Sequence, residues 1–136
     1  TTPNAHSNTD LVVFFLKSNV IYLGDIYFAG SFPFIDRDRG GSIKGMIRAC
    51  KLILPLANRN TLLVPSHGPA GDRRDLEEYV EMLELVNDRI QALLDQGLDE
   101  EAAIAAKPLV DLDEKWGQFF LNAEQFTRLV YRDLAQ

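Results

Sequence analysis

Histidine is scarce in this chain, with two among 136 residues, and both fall where a side chain could do chemistry. His67 stands in Val64-Pro65-Ser66-His67-Gly68-Pro69, after the β-rich apolar run Thr61-Leu62-Leu63-Val64. Pro and Gly turn the chain sharply there, so the imidazole is expected on a short, restrained loop at a strand end. Such a position suits a metal ligand or a catalytic base better than a freely moving surface side chain does. His6 sits just ahead of another apolar run, in Ala5-His6-Ser7-Asn8-Thr9-Asp10, and Asp25 follows a third, in Leu23-Gly24-Asp25. Imidazole and carboxylate are the ligands zinc takes in hydrolytic sites, at roughly 2.0 to 2.2 Å, where bound water is brought towards a pKa of about 7. His6, Asp25 and His67 would just suffice for one catalytic zinc. From spacing alone, three unrelated polar residues in loops is the simpler account, and the elements between them decide whether they meet.

Leu11-Val12-Val13-Phe14-Phe15-Leu16 is apolar throughout, which predicts a strand buried on both faces. Lys17-Ser18-Asn19 reads as a turn and Val20-Ile21-Tyr22-Leu23 as a second strand, so the two form a hairpin. The start of an antiparallel hairpin's first strand lies beside the end of its second. His6 and Asp10 are therefore expected near Gly24-Asp25. From Asp25 to Gly41 periodicity is lost and a long loop is expected, carrying Tyr27, Phe28, Phe32 and Phe34 and then Asp36-Arg37-Asp38-Arg39. The four aromatics are candidates for a substrate wall beside the ionisable residues, or for core.

Ser42 is placed to cap a helix whose apolar stripe is Ile43, Met46, Ile47, Cys50, Ile53, Leu54 and Ala57. Cys50 within that stripe reads as a small core residue, not a nucleophile. Pro55 and Asn58 end the helix before the strand from Thr61 to Val64. Strand, helix, strand then puts Asp25 and His67 at the carboxyl edge of one sheet, where ligands collect in α/β folds. Asp72 is expected to cap a long helix with Leu76, Tyr79, Val80, Leu83, Val86, Ile90 and Leu94 on one face, closed by Gln96-Gly97. A short Ala-rich helix from Asp99, an acidic linker from Leu109 to Gln118 and a final helix opened by Asn122 with Gln125 complete the chain. Trp116, Phe119 and Phe120 are expected to pin that last helix to the body.

The totals set limits on all of this. The length fits one domain with a sizeable core, and 46% hydrophobic with 25% charged residues is an ordinary globular balance. A net charge of −6 with no dense Lys/Arg stripe argues against a nucleic-acid or anionic-membrane surface. No apolar run approaches the roughly 20 residues that span a bilayer. The single cysteine excludes an intramolecular disulfide and a CxxC zinc site, which leaves cytoplasm and bacterial periplasm equally open. Thr1-Thr2-Pro3-Asn4 is neither an initiator methionine nor a signal peptide, and the expectation is that the sequence begins inside a longer protein.

The motifs Ala5-His6-Ser7-Asn8-Thr9-Asp10-Leu11-Val12-Val13, Leu23-Gly24-Asp25 and Pro65-Ser66-His67-Gly68-Pro69, in that order, resemble the second half of the metallo-β-lactamase fold superfamily of zinc hydrolases. The resemblance extends through Gly40-Gly41-Ser42 and the helix after it. It implies an α/β fold, half of an αββα sandwich, with a small mixed or antiparallel sheet and helices packed on it. By the same resemblance His6 is a ligand of a first zinc, Asp25 the carboxylate bridging two zincs, and His67 a ligand of the second. An aspartate at 25 points away from the lactamases that carry cysteine there. The superfamily's His-x-His-x-Asp-His run is absent, so a complete site for two zinc ions cannot be built from these residues. The expectation is one unit over residues 1–136, the carboxyl-terminal half of such a domain, inactive by itself and with or without bound zinc. The parent enzyme would take a small-molecule substrate, and the exposed half-fold surface would promote homo-oligomers. Two rivals stand beside this reading. One is a non-catalytic module completed by self-association or a partner; the other is a small complete enzyme using three ligands.

Overall fold

The computed structural model describes residues 4–136, so the opening residues 1–3, part of the stretch read as an interior start, lie outside it. Three strands form one mixed sheet in the order β1 (Val13–Phe15), β2 (Val20–Phe28), β3 (Leu62–His67). β1 and β2 are antiparallel and joined through the expected turn, with Val13 opposite Tyr22 and Phe15 opposite Val20. β2 and β3 are parallel. Their crossover carries α1 (Ile43–Ile53), followed after β3 by α2 (Arg73–Asp95), α3 (Glu100–Ala105), α4 (Asp113–Trp116) and α5 (Ala123–Leu134).

α1, α2, α3 and α5 begin where the sequence placed their caps, whereas α4 lies in the stretch expected to be an acidic linker, which is a correction. Ser42 Oγ accepts from Gly45 N at 3.0 Å. Asp72 with Asp75, and Asn122 with Gln125, make reciprocal capping boxes that satisfy otherwise orphaned amides of α2 and α5. The apolar stripes then meet: Met46, Cys50 and Ile53 of α1 and Leu76, Tyr79 and Leu83 of α2 are buried with Ile21, Leu23, Ile26 and Leu63 of the sheet. Burial pushes the Cys50 thiol up to about 12, so it is protonated core, as its place in the stripe implied.

Two expectations about the strands are corrected. β2 does not stop at Leu23 but runs on to Phe28, taking Ile26, Tyr27 and Phe28 into the sheet. Gly24, at a φ of +55°, sits where the register against β3 slips, and that bulge lets the strand continue past a kink. The aromatic run lacks period 2 because both of its faces are covered. The first strand, expected to be buried on both faces, is a three-residue edge strand, with Leu11, Phe14, Phe15 and Leu16 all exposed.

The register explains the exposure of Phe15. Phe14, Ile21 and Leu63 lie in one row and face the helices, as the burial of Ile21 and Leu63 shows. The rows on either side, Phe15-Val20-Leu62 and Val13-Tyr22-Val64, point away from the helices. All six are apolar or aromatic, and Phe15, Tyr22 and Leu62 are exposed. Among the described residues the sheet thus has one face under helices and one apolar face that no helix covers. This is half of an αββα sandwich, with a three-stranded mixed sheet.

Candidate functional site

His6 is carried by a segment without regular structure, and three backbone hydrogen bonds fix it. Its carbonyl accepts from Asp36 N at 2.8 Å, Ala5 O accepts from Ser42 N at 2.9 Å, and Asn8 N donates to Arg39 O at 2.8 Å. Gly41 permits this close approach, since a Cβ there would lie 2.0 Å from His6 O. The Gly40-Gly41-Ser42 step that opens α1 therefore also seats His6. Asp25 follows the Gly24 kink inside β2, and β3 runs past the end expected at Val64 to His67, so His67 ends the strand and is not in the loop after it. Its carbonyl accepts from Ala29 N at 3.2 Å, and Leu63 and Gly71 exchange two backbone bonds, at 2.8 and 2.9 Å, that fold the loop after His67 back onto β3.

These three side chains converge. Asp25 lies between the histidines, with Oδ2 4.0 Å from His6 Nδ1 and Oδ1 3.4 Å from His67 Nε2. Ser66 Oγ donates to Asp25 Oδ1. His6 is the more enclosed imidazole, its side chain 18% exposed against 45% for His67. Asp10, four residues beyond His6, brings Oδ1 to 3.3 Å from His6 Nδ1.

Aromatic rings frame the cluster. Phe28 stacks on His67 with centroids 5.2 Å apart and lies 6.5 Å from His6, so it floors both imidazoles. Phe34 stands 6.2 Å from His6. The other two aromatics of the expected wall sit deeper. Tyr27 is buried edge-on against Tyr79 at 5.2 Å, and Phe32 is fully buried against Phe126 at 4.6 Å. Sequence reasoning missed Phe120. Trp116 does anchor the body, its carbonyl accepting from Phe32 N at 2.7 Å, but Phe119 and Phe120 are exposed, which corrects their expected pinning role. Phe120 instead meets His67 edge-on at 4.7 Å and Phe28 at 5.6 Å. No local pattern marks it, because the contact joins a turn before α5 to the end of β3. A cavity of about 650 Å³ opens beside His67, walled by Tyr27, Ser66, Trp116, Phe119 and Phe120, within the range of small-molecule sites.

An imidazole, carboxylate, imidazole set has the donor chemistry zinc takes. Asp25 is a carboxylate that both imidazoles share, and among the described residues no group of three or more His, Cys, Asp and Glu side chains is disposed to hold one metal ion. The donors fit part of a metal centre and not a whole one.

The three-stranded mixed sheet with helices on one face is consistent with half of a metallo-β-lactamase-type fold. A stereoselective inverting sec-alkylsulfatase from Pseudomonas sp., a protein of that fold, superposes with a TM-score of 0.72 at 20% sequence identity. The match covers 96% of this chain and 23% of the sulfatase, so the chain spans about a quarter of that protein's length. At that identity the likeness is one of fold. No family model and no curated protein sequence matches the chain.

Proposed function

We propose that this chain is the carboxyl-terminal half of a metallo-β-lactamase-fold, zinc-dependent hydrolase, with His6, Asp25 and His67 as its share of the metal ligands. The observation that carries the reading is the meeting of residues 6, 25 and 67 at one sheet edge, with Asp25 between two imidazoles. A carboxylate so placed could serve two ions, one beside each histidine. Bound zinc would supply Lewis-acid polarisation and a hydroxide at neutral pH. The chain's own residues would hold Asp25 through Ser66, keep His67 between Phe28 and Phe120, and receive a small-molecule substrate in the cavity against Phe119 and Phe120. The remaining ligands and the water-orienting acid must come from outside these residues, so the chain alone is expected to be inactive.

Paramagnetic Co²⁺, a spectroscopic stand-in for zinc, tests the assignment in the chain as it is. Added cobalt should broaden the amide signals around residues 6, 25 and 67 before any others, and His67→Ala should remove that pattern near 67 and weaken binding. Broadening centred elsewhere, or unchanged by His67→Ala, overturns the assignment. Rapid turnover of a simple ester such as p-nitrophenyl acetate by the zinc-loaded chain would overturn the inactivity.

A second reading is favoured by the uncovered apolar face of the sheet. On it, the half-fold is a non-catalytic module that associates with another copy through Phe15, Tyr22 and Leu62. The two readings separate on whether cobalt broadening at the edge survives when association is abolished.

A further inference from the structure

Asp10 is a buried carboxylate that the proposed metal chemistry leaves without a task. It is 7% exposed, and a buried charge is costly unless its oxygens are satisfied. Three groups satisfy it. Ser7 N donates to Oδ2 at 2.8 Å, Ser7 Oγ donates to Oδ1 at 3.2 Å, and His6 Nδ1 lies 3.3 Å from Oδ1. Ser7 is itself held, its Oγ accepting from Thr9 N at 3.2 Å. The carboxylate therefore has a fixed place, and one oxygen is directed at a single nitrogen of His6.

A carboxylate only accepts hydrogen bonds, and a neutral imidazole carries its one N–H on either nitrogen. The proton of His6 must then sit on Nδ1, where Asp10 accepts it, and the lone pair is left on Nε2. Asp25 Oδ2, at 4.0 Å from the same Nδ1, is more distant and its side chain is 40% exposed, against 5% for Asp10. We infer that Asp10 is a positioning residue that holds His6 as its Nδ1–H tautomer and so presents Nε2 as the free donor. The task is the one outer carboxylates perform for histidines that bind metals, orienting the ring and choosing the coordinating nitrogen. The inference rests on the reading of His6 as a ligand for its purpose, while its geometry stands on Asp10 and Ser7 alone.

The tautomer is directly readable by long-range ¹H–¹⁵N correlation on the metal-free chain at a pH where the imidazole is neutral. Wild type should show His6 as Nδ1–H. In Asp10→Asn the side-chain amide keeps an acceptor for Ser7 but can donate to Nδ1, so His6 should shift towards Nε2–H. Asp25→Asn should leave the tautomer as it was. A fold defect would disturb the β1 and β2 amide signals, and a simple packing role would not exchange the protonated nitrogen. Nε2–H in wild type overturns the inference even if a variant fails to fold, as does a folded Asp10→Asn chain that keeps Nδ1–H. Absence of metal binding with Nδ1–H intact would instead sink the ligand reading and leave the positioning role standing.

Discussion

At the scale of single residues, chemistry follows from what surrounds a group more than from its type. Cys50 and His67 are both reactive in principle, yet one is sealed between α1 and the sheet while the other ends a strand beside an open cavity. The buried thiol gives a pH prediction. Its value rises from an ordinary 9.0 to about 12 on folding because desolvation penalises the thiolate. The unfolded chain thus releases this proton from about pH 9, whereas the folded chain keeps it until about 12. Its contribution to stability is whole below pH 9 and is lost as pH rises from 9 to 12. Burial moves Tyr27 and Tyr79 in the same direction from their ordinary 10.0. Denaturant unfolding in steps from pH 8 to 10 should show stability starting to fall just above 9, and Cys50→Ala should flatten that early slope although it lowers stability throughout. An identical slope in the variant would show that the thiol is not the group titrating. The same burial predicts that a thiol reagent labels Cys50 only as fast as the chain unfolds.

At the scale of elements, the candidate site depends on how segments lie against one another. His6 precedes the first strand, where chain ends commonly fray. It is ordered because residues 5–8 lie along Asp36 to Ser42 and bond to its backbone, and Gly41 is what permits the approach. Gly41→Ala should therefore act on His6 from 35 residues away. With its Cβ 2.0 Å from a carbonyl oxygen, one backbone must move, and a loss of about 2 kcal/mol is expected. Thermal unfolding checks the magnitude, and the amide spectrum should show residues 5–8 displaced while β3 keeps its signals. A melting temperature equal to wild type would mean the two segments are not in contact. The caps of α2 and α5 and the stripes of α1 and α2 were legible in the sequence because each is set within a few residues. The true length of β2, the exposure of β1 and the contact of Phe120 with His67 were not, since each depends on what lies across a sheet or between layers.

At the scale of the whole molecule, the governing feature is a sheet whose helices, among the described residues, all lie on one side. An apolar face of this kind promotes association, because burying it removes apolar area from water. Replacing Tyr22 and Leu62 by lysine puts two charges on the outer face without touching the helix side. The double variant should stay folded by circular dichroism and lose whatever concentration-dependent association the wild type shows by light scattering. A wild-type chain that is monomeric at every concentration would remove the self-association reading. The order of three short motifs indicated the fold by its resemblance to a known family, while the strands, caps and turns were legible directly because they are local, and hairpin geometry gave the expectation that His6 lies near Asp25. Only the tertiary structure decided that Asp25 stands between the two imidazoles, that Asp10 is buried against His6, and that Phe120 closes over His67. Those distances arise from packing between segments far apart in the chain, where no local pattern constrains them.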